Sequence, residues 1–425
     1  MKRFIVVLVL LALLVNFTTA KGTVEETAKE TVITIWYEGG DARLPFFKAV
    51  EAEMQKDYPN YRIDVVTFDN ATFMTKVLQT VTATGGVDLV FNDASRLLTI
   101  NQQSGGGFAD LSPVFNTDPN KALVTAGDLK LSSADGGLVV YPINRSIAGL
   151  GVKTDVSGVR VTDDTMPKTW DKFLALGAAF KAAGMPGFTM HLGSDPGQVF
   201  NLFLCGSGMS DIWLNKIPEC QIVSKLEYYK RVVSVYAGAN AFWDKDATSE
   251  GFAEMYNKIL SGSVGMFRVG NWNAGNWDKP GSGVGEYTVT TWPSMEVGME
   301  SGLVLLNTRG LAMPKNAPNQ EAAKTYLRYV LSKEAQSASF KTMGSCIDVS
   351  VVDTAVLSKN QKIFFDASKK LFPIDTYVAQ FPYFPQINEV FEKGLIRAFN
   401  ASPALIESTL IELNSQVNKA IQENK

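Results

Sequence analysis

The order of secondary-structure signals between Thr31 and Leu111 constrains the fold more than any other feature. Val32-Ile33-Thr34-Ile35-Trp36-Tyr37 is rich in β-branched and aromatic residues and stops at Gly39-Gly40, which reads as a strand. Phe46, Phe47, Val50 and Met54 then recur at helical spacing until Pro59-Asn60 breaks the pattern. A second strand is predicted from Tyr61 to Phe68 and a second helix from about Ala71 to Ala83, stopped by Gly85-Gly86. Val87 to Phe91 is a short apolar run of the buried, parallel type. This β-α-β-α-β order predicts an α/β fold, a parallel sheet with helices on both faces.

Later segments extend the theme. Gly137 to Ile143 and Ala148 to Val152 are read as adjoining strands near a crossover. Pro167-Lys168-Thr169-Trp170 opens a helix with Thr169 as its N-cap, and Trp170 packs at the helix start. Further helices are predicted near 224–239, 250–261, 319–332, 386–399 and 403–422. Segments 101–136 and 270–302, rich in Gly, Ser and Asn, are read as loops. Tyr58 and Tyr61 flank a turn and are read as core. About 400 residues exceed what one hydrophobic core serves, so two lobes are expected.

The N-terminus carries its own message. Lys2 and Arg3 precede an apolar run from Phe4 to Val15, and Thr18-Thr19-Ala20 supplies small residues for cleavage after Ala20. The run of about twelve residues falls short of the roughly 20 that span a bilayer as a helix. An exported chain is therefore expected. Removing Lys2 and Arg3 leaves 38 basic residues against 43 acidic, a balance near −5 that offers no footprint for nucleic acid or an anionic membrane. Three cysteines and one histidine, scattered along the chain, argue against a metal centre. Cys205 and Cys220 are read either as a disulfide or as two buried thiols.

Polar and aromatic residues gather where predicted strands end: Trp36-Tyr37-Glu38, Phe91-Asn92-Asp93 and Tyr141-Pro142-Ile143-Asn144. In open parallel sheets, ligands bind in the crevice beyond the carboxyl ends of the strands. Side-chain alternation puts Trp36 and Tyr37 on opposite faces, so one of them is buried in its lobe. The stretch from Val269 to Trp277 combines Gly, Asn and Trp, and its Trp272 is read as a site residue. Rings stack on the apolar faces of a sugar, while carboxylates, amides and Arg bond its hydroxyls. Neither a nucleophile elbow nor a zinc or nucleotide signature is present.

Taken in order, the segments ITIWYEGG, DYPNYRIDV, TATGGVDLVFNDASRL, GGLVVYPINRS, PKTWDKFLALG, KILSGSVGMFRVGNW, APNQEAAKTYLRYVLSKEAQ and FPYFPQINEVFEKGL resemble the extracellular solute-binding proteins of ABC importers, in the carbohydrate-binding family that includes maltodextrin-binding proteins. The resemblance implies a two-lobed fold, each lobe a central sheet flanked by helices, with the ligand in a cleft between them. It implies a first lobe of 21–143 plus 291–340 and a second of 144–290 plus 341–425. The ligand-binding set it implies, together with the strand-end residues, is Tyr37, Glu38, Asp41, Asn92, Asp93, Arg96, Asn144, Asp195, Asn271, Trp272 and Phe391. The family's acidic-Pro-aromatic site is matched by Asp195-Pro196-Gly197, where the aromatic is missing, so maltose specificity does not transfer. The implied partners are a small polar ligand, a sugar, and the importer's membrane subunits, with no catalytic residue, cofactor or metal. A monomer in the periplasm is expected, without a lipid anchor because no cysteine precedes Cys205. A polyamine on the same scaffold and a secreted glycosidase are the alternatives. Cleavage after Ala20 predicts Lys21 as the mature N-terminus, which intact mass of the exported protein measures; an uncleaved chain refutes it.

Overall fold

The computed structural model describes residues 30–38, 43–83, 85–193, 196–207, 219–238, 240–368, 371–373 and 384–424. The signal segment, Asp41 and Asp195 lie outside the described residues.

The first strand, β1 (Thr31–Glu38), turns Ile33, Ile35 and Tyr37 inward and leaves Val32 exposed, as alternation requires. It pairs in parallel with β2 (Tyr61–Phe68) on one side and β3 (Leu89–Asp93) on the other. Between β1 and β2 runs the helix Leu44–Gln55, whose Phe46, Phe47, Val50 and Met54 are buried as their spacing predicts. The parallel arrangement ends there. The next neighbour of β3 is the antiparallel β10 (Val304–Ala312), which pairs in turn with the antiparallel β6 (Tyr141–Lys153). β6 continues to β8 (Met266–Gly270) and, beyond it, β7 (Phe188–Thr189), while β9 (Tyr287–Thr290) pairs with the end of β6. The sheet is thus mixed. β4 (Ser133–Ala134) and β5 (Gly137–Leu138) form a separate small hairpin.

β6 corrects one sequence reading. The two strands predicted around Asn144-Arg145-Ser146 are one strand of 13 residues, buried throughout. The polar triplet that looks like a break is accommodated because β10 pairs with all three residues on one edge, while Ser345 and Asn271 bond the Arg145 backbone on the other; β8 takes over that edge from Ala148. Tyr141, Ile143 and Leu311 belong to the core around β1, whereas Ile147, Leu150, Val304 and Leu305 belong to the core around β8. Trp292, Met295 and Leu303 also pack in that second core, and Met343 and Ile347 in the first.

A knot of polar groups holds the crossover. The Asp128 carboxylate is fully buried and accepts from Arg145 Nε at 2.9 Å and Nη2 at 2.6 Å, and from Thr308 Oγ1 at 3.1 Å. The Arg145 amide donates to Ser345 Oγ at 2.9 Å, and the Arg145 carbonyl accepts from that hydroxyl and from Asn271 Nδ2. Asn271 also donates to the Gly344 carbonyl at 3.2 Å and accepts from the Ile147 amide at 2.9 Å. Gly344 turns the chain with φ of +68°, and a Cβ there would lie 2.2 Å from the Asn271 carbonyl oxygen. Three chain passages meet at this point.

Other expectations resolve simply. The helices Leu226–Ala237, Phe252–Leu260, Phe384–Phe399 and Ile406–Glu423 lie where predicted, the last burying Leu410, Leu413, Val417 and Ile421. The predicted helix near 319–332 is the shorter Gln320–Leu327, followed by Lys333–Met343 with Ser332 as its cap. The segments read as loops contain helices Ala126–Ser132 and Asn271–Trp277. Trp170 packs on Phe173 and Phe203, although Thr169 makes no side-chain cap. Tyr61 packs half-buried against the first core, while Tyr58, tilted against its ring, stays exposed instead of entering the core. Cys205 and Cys220 are buried thiols.

Burial alone acts to raise the Asp128 carboxyl, but Arg145 and Thr125 outweigh it and hold it below the ordinary carboxylate range. A carboxylate depressed in the folded state contributes stability that is present above its unfolded value and lost as pH falls through the folded one. Acid unfolding should therefore draw on Asp128 only below about pH 4. Asp128→Ala strands the Arg145 guanidinium and should cost about 3–5 kcal/mol in urea unfolding at pH 7; a change near zero would show that the knot does not hold the crossover.

Candidate functional site

Charged side chains converge where β1 and β3 end beside the middle of β10. Glu38, the last residue of β1, accepts from Asn92 Nδ2 at 3.0 Å and from Arg96, which stands in the first turn of the helix Ala94–Gln103. The Asn92 side chain in turn accepts from the Asp93 amide at 2.7 Å. The strand register sets Arg309 opposite Asp93, and its Nε donates to the Asp93 carboxylate. Arg43, just before the helix Leu44–Gln55, donates to the Glu38 carbonyl oxygen and lies 5.7 Å from the Phe91 ring centre.

Trp272 approaches from the other core. It stands in the first turn of the helix Asn271–Trp277, where Asn271 is clamped to the crossover. Its ring folds back over Gly270, where any Cβ would lie within 2.5 Å of the indole carbons. The guanidinium of Arg268 lies 5.3 Å from the ring centre and that of Arg309 lies 5.6 Å away. Such cation–π contacts are worth about 0.5–2 kcal/mol each, depending on desolvation. Arg309 thus joins the two sides, bonding Asp93 on one and facing Trp272 on the other.

Electrostatics follow from this crowding. Burial acts to raise the Asp93 carboxyl, but Arg309, Arg96 and Arg43 overcome it and hold the group below its usual range. Burial and the neighbouring Arg309 pull Arg43 down to about 10. His191 is buried, which with Arg268 nearby pulls it down to about 3 and leaves it neutral at pH 7.

The remaining expected site residues fall elsewhere. Tyr37 is the buried member of its pair, against Phe47 in the first core, while Trp36 packs on Phe68 across the sheet. Phe391 is also fully buried, in the second core, where a Cβ on Gly197 would lie 3.2 Å from its ring. Both rings build the lobes and cannot wall a cleft in this conformation. Asn144 is buried in the crossover and donates to Met343 Sδ at 3.2 Å, and Asn271 is a clamp. Asp41 and Asp195 lie outside the described residues. Glu38, Asn92, Asp93, Arg96 and Trp272 are the ones brought together. Arg43, Arg268 and Arg309 were not foreseen, and the only signal for Arg309 is a polar triplet, Asn307-Thr308-Arg309, inside an otherwise apolar strand.

Two cavities open away from this cluster. One of about 490 Å³ lies beside Ser95, Asn101 and Lys130, and one of about 700 Å³ lies around Gly281, Gly283, Asp155 and Asn360. Neither is lined by Asp93 or Trp272. Among the described residues, no three His, Cys, Asp or Glu side chains are grouped to hold a metal ion.

Residues 43–337 match the sequence profile of the bacterial extracellular solute-binding proteins, well over half of the chain. The chain belongs to that family. No curated protein sequence matches it. Similar solved structures include maltose-bound MalE3 of T. maritima, with 15% identity and a TM-score of 0.73 over 91% of this chain and 99% of that one. A solute-binding protein of Thermotoga lettingae bound with α-D-tagatose is 18% identical with a TM-score of 0.72, over 92% and 100% of the two chains. An ABC substrate-binding protein of Listeria monocytogenes in complex with cycloalternan is 13% identical at 0.72, over 93% and 100%. At these identities the likeness speaks for the two-lobed α/β fold. No described helix is long and apolar enough to cross a membrane.

The bare Cα of Gly270 leaves the place that the Trp272 indole fills. Gly270→Ala should displace the ring and alter the near-UV dichroism, with little change in far-UV signal. Unchanged near-UV spectra would show that the ring does not depend on Gly270.

Proposed function

We propose that this solute-binding protein captures a sugar between its two lobes and delivers it to the membrane subunits of an ABC importer. The observation that carries this reading is Trp272, an aromatic plate from the second core set against Arg309, Asp93 and Asn92 of the first. Such a pairing offers a stacking face for sugar C–H groups beside donors and acceptors for hydroxyls. The lobes in this reading are 30–143 with 309–347, and 148–305 with 364–424. Rotation between them takes place at Asn144, Arg145 and Ser146, and a ligand favours the closed form only through contacts it gains there. The protein acts as an exported monomer in the periplasm, its signal cleaved after Ala20.

Two alternatives lose ground on specific observations. A polyamine would meet four guanidinium groups, Arg43, Arg96, Arg268 and Arg309, which repel it. A glycosidase needs one protonated carboxyl as general acid. Asp93 is held ionised by its arginines and cannot take that role.

A thermal-shift screen over sugars, polyols and polyamines tests the cargo, because a ligand of the folded state raises Tm. A sugar should give the largest shift. Trp272→Ala should weaken its binding about 30-fold, the effect of losing an aromatic anchor worth about 2 kcal/mol. Unimpaired binding by that variant would refute the site.

A further inference from the structure

The Arg309 guanidinium stands between the two halves of the site. Its Nε donates to the Asp93 carboxylate, and its central carbon lies over the Trp272 ring, 5.6 Å from the ring centre. Asp93 ends β3 and Trp272 belongs to the helix Asn271–Trp277, so one side chain fills the gap between a hydroxyl partner and a stacking face. Other neighbours of the indole come from its own side. Gly270 lies against the ring carbons Cε2, Cζ2 and Cη2, and Arg268 of β8 lies 5.3 Å from the ring centre. Both are close to Trp272 in the chain and travel with it. Arg309 is carried by β10, whose register with β3 sets it opposite Asp93.

A sugar that stacks on Trp272 and also bonds Asp93 needs the space between them. The guanidinium meets both partners much as a pyranose would, the indole through its charge and the carboxylate through an N–H donor. The two cannot be layered together. A ring inserted between guanidinium and indole requires about 7–8 Å, two carbon contact distances, and only 5.6 Å is there. Arg309 can turn away without leaving Asp93 unbalanced, because Arg96 and Arg43 also act on that carboxylate. Its side chain is 17% exposed and keeps a path to solvent.

We propose that Arg309 is a built-in cover for the sugar site: its guanidinium holds the ligand's place between Trp272 and Asp93, and a sugar binds by displacing it. This rests on the sugar-binding reading and adds what the ligand competes with. Affinity is then a difference between the contacts a ligand makes and those Arg309 gives up. A solute offering only a stacking face, or only hydroxyls, recovers one of the two contacts that it breaks.

Two variants test the cover. Arg309→Gln keeps an N–H donor for Asp93, Arg309→Met keeps the length of the stem, and both lose the guanidinium. Before any sugar is added, acrylamide should quench Trp272 emission more strongly in both variants than in the parent chain, with Trp272→Phe subtracting the other indoles. Calorimetry then uses neutral mono-, di- and trisaccharides of glucose, galactose and mannose. Both variants should bind the sugar that the parent binds about 2–30-fold more tightly, the effect of removing one competing cation–π contact. Equal or weaker binding would make Arg309 no competitor of the ligand, and unchanged quenching would show that it does not cover the ring. Either result overturns the cover and leaves the sugar site standing. If neither parent nor variants bind any sugar, the sugar reading fails and the cover with it.

Discussion

The buried Asp128 carboxylate is the interaction on which the rest of this architecture depends. It lies on the short helix Ala126–Ser132, and it fixes Arg145 in β6 and Thr308 in β10, the two strands that carry the chain across the crossover. A lone carboxylate at that depth would be prohibitive. Bidentate pairing with a guanidinium and two bonds from Thr125 make it tolerable. The reward is positional. Because Arg145 is held by its side chain, its backbone can serve as the meeting point for Ser345 and Asn271, and three separate passages of chain share one anchor.

From that anchor the functional groups fan out in both directions. β10 runs from Thr308, at the knot, directly to Arg309, which faces Asp93. The helix that starts at Asn271, also at the knot, presents Trp272 as its next residue. Trp272 and Arg309, which face each other, are thus each one residue from a member of the knot. This is economical, since side chains far apart in sequence are aligned by a single hydrogen-bonded junction without long loops.

Much of the fold was legible in the sequence. Period-two strands and 3.6-period helices gave the first three strands and their two intervening helices, because one buried face dictates each pattern. Polar residues at strand ends pointed to Glu38, Asn92 and Asp93, and the family resemblance added Arg96. The pattern failed where burial is two-sided. β6 carries Asn144, Arg145 and Ser146, and pairing with β10 on one edge and bonds from Ser345 and Asn271 on the other let a strand pass through them. Tyr37 and Phe391 were misplaced for a related reason: an aromatic beside a polar strand end or a Pro-Gln pair looks the same in sequence whether its ring faces a cleft or a core. Arg43, between Ala42 and Leu44, and Arg268, between Phe267 and Val269, gave no signal, because a single charged residue reads as an ordinary surface choice until the chain folds such residues together.

The clamp on Asn271 has a mechanical consequence for Trp272. A group beside a pivot travels through a short arc, while groups at the far rim of a lobe sweep a long one. If the proposed closure is right, the aromatic plate is the nearly stationary floor of a jaw, and the span between the lobes grows with distance from it. On that proposal, a first sugar unit seated on the floor meets much the same surroundings in every degree of opening. Further units would extend toward the rim, so chain length, more than the identity of the innermost ring, would set how far such a jaw can shut.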